Sequence, residues 1–172
     1  TIAILPMLGV ATAVVSVVGA SFGSKKYAKL KTAYLYAVRI GLAIEVVIGL
    51  AIFLAAPQIT WLFTRTPESA TIADELVMFL KIMVFFFPGA ALGIASSSTF
   101  QGVGKGVYAL YATLIRTLVL SPPAALFFAV YLGWGLPGIW WGLVVSNLTG
   151  STISFVWANV YIRYKLIAPA AQ

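Results

Sequence analysis

The chain has no cysteine and no histidine among its 172 residues. That removes disulfides, thiolate or imidazole metal sites, and nucleophilic catalysis of the Ser-His or Cys-His kind. Acids are almost as scarce, with Glu45, Glu68, Asp74 and Glu75 the full set. Neither a carboxylate enzyme nor an acidic metal cluster has much to be built from, and no nucleophile-base pair is present, so the residues argue against an enzyme. Charge of either sign is thin: 9% of residues are charged against 62% hydrophobic, and mean hydropathy is +1.03. A soluble domain of this length has too little interior to hide that much apolar surface. The solvent implied is a lipid bilayer.

A net charge of +7 comes from Lys and Arg set between apolar stretches. That is a membrane pattern, and it gives no basic face for nucleic acid. The chain opens "TIAILPMLGV" without Met or a basic leader, and reads as an interior piece of a longer protein.

About 20 apolar residues are needed to cross a bilayer as a helix. Five stretches qualify, at Ile2–Phe22, Ala33–Ala56, Leu76–Phe100, Val107–Leu132 and Gly138–Tyr161. The connections "GSKKYAKLK", "TRTPESATIADE", "QGVGKG" and "GWGLP" are short, so residues 1–172 read as one all-α transmembrane domain. Lys25, Lys26, Lys29 and Lys31 lie in the first connection, Lys105 in the third, and Arg163 and Lys165 at the C-terminal end. Only Arg65 falls on the other side. This bias predicts a multi-pass protein of the cell membrane with a cytoplasmic C-terminus and Thr1 outside. Aromatic residues group the same way: Trp61, Trp134, Trp140 and Trp141 mark the outer interface. Tyr34, Tyr36, Tyr108, Tyr111, Trp157, Tyr161 and Tyr164 mark the inner one. Five spans with an outer N-terminus lead us to expect at least one further span before Thr1.

Gly138, Gly142, Ser146, Gly150, Ser154 and Ala158 recur every fourth residue along the last span. Such a ridge lets helices approach closely in lipid. Gly89, Gly93 and Ser97 repeat the pattern on the third span, and Gly41 and Gly49 on the second. Pro88 lies within the third span, and Pro122 and Pro123 within the fourth. Each removes a backbone donor and frees the carbonyl four residues back, those of Val84, Leu118 and Val119, which makes these prolines candidate helix bends.

Arg39, Glu45, Lys81 and Arg116 fall inside predicted spans, where ionisable groups are rare and functional by default. Arg39 is close enough to an end to reach the headgroups. Lys81 lies roughly 8 Å below the outer end, within reach of snorkelling or of a cavity. Arg116 lies roughly 13 Å deep and demands a partner or a water-filled cavity. Glu45 sits at mid-span between Gly41 and Gly49, and faces protein. By depth, Arg116 is its best ion-pair partner; left without one, it is a candidate for proton coupling. Asn147 adds a polar group to the same cavity set of Glu45, Lys81 and Arg116. Three cations against one acid leave a positive surplus at depth, to be met by another part of the protein or by an anionic ligand.

Three stretches resemble the multidrug and toxic compound extrusion (MATE) family. "LPMLGVATAVVSVVGASFGSKKYAKLKTA" is similar to the second helix of a lobe and its basic loop. "FLKIMVFFFPGAALGIASSSTFQGVGKG" looks like the fourth helix of a lobe, ending in a glycine-rich turn. "LIRTLVLSPPAALFFAVYLGWGLPGIWWGLVVSNLTG" is similar to the last two helices of the C-terminal lobe. The resemblance implies helices eight to twelve of a twelve-helix, two-lobe transporter, hence five of the six helices of the C-terminal lobe. It further implies efflux of amphipathic or cationic drugs or toxins by alternating access, in exchange for Na⁺ or H⁺, with no cofactor and no metal. The expected partners are the bilayer, the N-terminal lobe or a second copy, and the substrate. Two other readings remain open: a lipid-linked oligosaccharide flippase of the same superfamily, and a structural membrane module without transport of its own.

Overall fold

A computed structural model describes residues 2–65 and 71–167. Thr1, whose outer placement was expected, and Glu68 lie outside the described residues. A 3-10 turn at Ile2–Ile4 leads into α1 (Leu5–Gly23), followed by α2 (Tyr27–Phe63), α3 (Ala73–Met83), α4 (Phe86–Gly102), α5 (Gly106–Tyr131) and α6 (Gly135–Ile167). Four of these are long and apolar enough to cross a membrane, and α3 with α4, bent by 44°, makes a fifth span. The expected all-α, five-span architecture is what the described residues form.

Boundaries differ from expectation where the chain leaves the apolar stretches. α2 runs for 37 residues, about 55 Å, well beyond a hydrocarbon core of roughly 30 Å. Lys29 and Lys31, expected in a loop, are helical, because nothing between Tyr27 and Ala33 breaks a helix. The loop that remains is a tight cap. Lys26 N–H donates to the Ser21 carbonyl at 2.9 Å and Lys25 N–H to that of Phe22 at 3.0 Å, with Lys25 at φ 56°. The turn after α4 repeats this: Lys105 donates to Phe100 at 2.8 Å, Gly104 to Gln101 at 2.9 Å, and Gly104 has φ 73°. Both are Schellman closures, which return orphan carbonyls to a partner.

α4 is the hub, touching α1, α2, α5 and α6. Its small residues, among them Ala90, Ala91, Gly93 and Ala95, are buried and let four neighbours approach. The whole ridge of α6, from Gly138 to Ala158 at every fourth residue, is buried as expected. Gly138 and Gly142 bring α6 onto the backbone of α5 at Phe128 and Ala125. α5 lies at the edge of the bundle, with Leu118, Val119, Leu126 and Val130 exposed.

Pro88 sits three residues past the break between α3 and α4; the Val84 carbonyl it cannot serve accepts from Phe87 N–H at 3.2 Å. Pro122 and Pro123 do not break α5, which continues as one 26-residue helix. They occupy the first turn of the α-helical segment Ser121–Leu126, between π-helical turns at Ile115–Leu120 and Phe127–Tyr131. Widening the helix there accommodates the missing donors, and the Ser121 hydroxyl donates to the Arg116 carbonyl at 3.0 Å.

Seven of the eleven cations, Lys25, Lys26, Lys29, Lys31, Lys105, Arg163 and Lys165, fall at one end of the helices. Phe100, Tyr108, Trp157 and Tyr161 stack there with ring centroids 5.1–5.9 Å apart, over a core that includes Leu30, Val103 and Ile162. Trp140 and Trp141 mark the other end, against Phe79 and Phe85. Tyr34 departs from the expected interfacial role: it is fully buried, its hydroxyl 2.9 Å from Ser96 Oγ, because a serine at that point of α4 leaves room for the ring.

Candidate functional site

Two grooves run along different flanks of α4, and of the residues expected to share one cavity Glu45 lines the first and Arg116 the second, while Lys81 and Asn147 line neither. The first, about 340 Å³, lies where α2 meets the break, and Glu45, Gly49, Phe53, Val84, Phe85 and Pro88 line it. Gly49 makes this possible: a Cβ there would lie 3.0 Å from Val84 Cγ1, so α2 rests directly on the interrupted span. One turn away on the same face, Glu45 is fully buried, and neither carboxylate oxygen has a hydrogen-bond partner among the described residues. Lys81, on the last turn of α3, holds its ammonium 5.7 Å from the ring centroid of Phe53. It is half-buried and does not reach Glu45.

The expected ion pair between Glu45 and Arg116 is therefore not formed. Arg116 belongs to the second groove, about 500 Å³, between α1, α4 and α5. Five residues, about 140° of helical turn, separate Pro88 on the first groove from Gly93 on the second, so α4 stands between the two charges. Depth matched them; helical phase did not.

Arg116 is instead met by α6. Its Nη1 donates to Asn147 Oδ1 and to Ser151 Oγ, each at 3.3 Å. The stem crosses α6 at Gly150, where an added Cβ would lie 2.8 Å from Arg116 Cβ, and the guanidinium rests on α4 at Gly93. Asn147, only 2% exposed, also donates through Nδ2 to the Phe86 carbonyl at 2.8 Å, which ties α6 to the first turn after the break. Gly89 supplies the space, since a Cβ there would be 2.6 Å from Asn147 Nδ2. Ser151 was not singled out from the sequence, although its place one turn after Asn147 put it on the same face. Residues of α1, α4 and α5 complete the groove, with Thr12, Ser97, Gln101 and Thr113 polar and Leu8, Val15 and Ile94 apolar.

These grooves offer positioned charges and hydrogen-bonding groups, and among the described residues no group of acids that could hold a metal. The MatE family model matches residues 1–127. A probable multidrug resistance protein NorM of Bacillus cereus is 24% identical over 149 residues, covering 87% of this chain and 32% of the relative. Its namesake in Thermotoga maritima is 24% identical over 162 residues, covering 91% and 33%. The chain thus spans about a third of the length of the curated relatives it matches. Among solved structures, an inward-facing multidrug resistance MATE family transporter is 37% identical with a TM-score of 0.91, covering 94% of this chain and 37% of that one. An outward-facing one is 40% identical with a TM-score of 0.88, covering 94% and 36%. A transporter of the MOP superfamily from Pyrococcus furiosus, described as having a binding pocket of reverse polarity, is 38% identical with a TM-score of 0.90, covering 94% and 36%. A family match over most of the chain, and structures that superimpose on five apolar helical spans, leave one assignment: the chain belongs to the MatE family of multi-pass membrane transporters.

Proposed function

We propose that the chain forms helices eight to twelve of a secondary active efflux antiporter, which exports amphipathic compounds, drugs or toxins among them, in exchange for Na⁺ or H⁺. Glu45 carries this reading. A carboxylate buried without a partner among the described residues, beside the break in a membrane-spanning helix, is where a coupling cation gains most by binding. In this role Glu45 takes up the ion, and the interrupted α3–α4 span transmits its occupancy to Asn147 and α6. Lys81 packs on Phe53 of the same groove, and Arg116, held from behind by the buried Asn147, faces substrate on the other flank.

Two further observations support the reading. The chain superimposes nearly as well on a transporter described as outward-facing as on one described as inward-facing, with TM-scores of 0.88 and 0.91. Helices that keep their arrangement between such states move as a body, as alternating access requires. Seven of the eleven Lys and Arg residues fall in the first and third connections and at the C-terminal end, which supports the reading that this end is cytoplasmic. The facing half is supplied by an N-terminal lobe or by a second copy.

The test uses the full-length protein in proteoliposomes, with Na⁺ and H⁺ gradients imposed separately. Ethidium and taurocholate serve as cationic and anionic amphipathic probes. The wild type moves at least one of them against its own gradient under one of the two ions. Glu45→Gln loses that dependence and keeps downhill exchange. A wild-type protein that moves neither probe under either gradient overturns the antiporter reading, and Glu45→Gln with coupling intact overturns the role of Glu45.

A further inference from the structure

The positive groove on the α1–α4–α5 flank has a built geometry that Glu45 does not share. Arg116 uses only Nη1 to reach Asn147 and Ser151; Nε and Nη2 have no hydrogen-bond partner among the described residues. Three N–H donors of a planar fork remain. The guanidinium is held by those two bonds and by contact with the backbone of Gly93, with its stem on Gly150, so little freedom is left to lose on binding. Among the described residues no acid lines the groove. A cation entering it meets an unopposed positive charge at low dielectric, where the repulsion is far stronger than in water.

From this we infer that the groove binds an amphipathic anion, its carboxylate, sulfonate or phosphate on the free face of the Arg116 guanidinium and its apolar body along Leu8, Val15 and Ile94. Ser97, one turn of α4 beyond Gly93, and Thr113 add polar groups to the lining, and Gln101 lies about 12 Å further along α4 from Gly93. The fork geometry suits two oxygens of one head at once. This inference names the substrate class of the proposed transporter and rests on that reading, but binding is measurable without transport.

The test is equilibrium binding of radiolabelled taurocholate to the full-length protein in nanodiscs of zwitterionic lipid. The wild type binds it, and Arg116→Gln weakens binding roughly tenfold or more, the loss expected for a charge-assisted hydrogen bond. Arg116→Lys, which keeps the charge without the fork, falls between them. Gln101→Glu leaves the contacts of Arg116 to α6 intact and sets a carboxylate at the groove's edge; it also weakens binding, which keeps the test decisive if Arg116→Gln does not fold. Competition by phosphatidylglycerol in the bilayer identifies a lipid head as the occupant, and its failure a soluble amphipath; both support the site. Wild-type protein that binds no taurocholate, or a Gln101→Glu variant that binds as the wild type does, overturns the inference. Gradient-driven export of ethidium alongside either result leaves the antiporter standing and sinks only the anion site. Taurocholate binding with no transport of any probe does the reverse.

Discussion

Arg116 lies where the side chain of residue 93 would be. The Cβ that Gly93 lacks would overlap Nη1 of the guanidinium, and that overlap is the reason α4 carries no side chain there. A methyl group must push the charge off Asn147 and Ser151, leaving polar groups unpaired at depth. Gly93→Ala therefore destabilises by about 1–3 kcal/mol, seen as a lower thermal midpoint in detergent. Gly89→Ala acts the same way through Asn147. Gly9, with nothing within 4 Å of its absent Cβ, is the control, and Gly9→Ala is neutral within about 0.5 kcal/mol. Equal midpoints for all three would mean that Arg116 is not seated on α4.

The two Schellman turns make a paired experiment. Both need a left-handed residue at the same position; one has Gly104 there and the other Lys25. An L-residue with a Cβ in that region is strained by about 1 kcal/mol. Lys25→Gly is expected to stabilise the protein by about 0.5–1 kcal/mol, and Gly104→Ala to destabilise it by a similar amount. Opposite shifts in thermal midpoint check this; shifts of the same sign refute it.

What could be read from the sequence was what depends on one helix at a time. Apolar length located five spans, and the four-residue repeat from Gly138 to Ala158 identified the buried face of α6. Pro88 located the break. Relations between helices were harder. Glu45 and Arg116 match in depth, and depth is all that span-counting gives; which flank of α4 each faces depends on the phase of three helices together. What the two adjacent prolines do to the backbone was hard to read for a related reason. Their missing donors are accommodated by π-helical turns, a backbone adjustment that leaves no mark in hydropathy. Ser151 was legible as a neighbour of Asn147, but only an arginine arriving from α5 makes it a ligand.

Glu45 poses a conflict between stability and function. A buried carboxylate with no partner among the described residues contributes desolvation cost and no hydrogen bond from them in return. Its groove is otherwise apolar, with Phe53, Val84 and Phe85 on the walls. Glu45→Leu fills the same space without a polar group and is expected to raise the thermal midpoint, by about 1–3 kcal/mol of stability. The same variant loses ion-coupled transport. A Glu45→Leu protein less stable than the wild type would show that the carboxylate has a partner supplied from outside these helices.

The break between α3 and α4 has two candidate causes, Pro88 and Asn147, that substitution can separate. Pro88 denies the Val84 carbonyl its normal donor, yet that carbonyl is already served by Phe87 N–H at 3.2 Å. Asn147 holds the other side, donating to the Phe86 carbonyl at 2.8 Å from a position on α6 that is 2% exposed. If the proline alone set the bend, Pro88→Ala would let the span straighten, and amides of residues 84–88 would gain protection from hydrogen exchange. With Asn147 pinning Phe86 and α2 resting on Val84 through Gly49, the bend is instead expected to survive Pro88→Ala with exchange little changed. Asn147→Leu removes the pin and leaves a carbonyl at depth short of its donor, a cost of about 1–3 kcal/mol concentrated at the break. Exchange at residues 84–90 should then quicken roughly tenfold or more, with no such change at the Schellman turn near Lys105. An Asn147→Leu protein that exchanges like the wild type, beside a Pro88→Ala protein that becomes protected, would assign the break to the proline and leave α6 with no control over it.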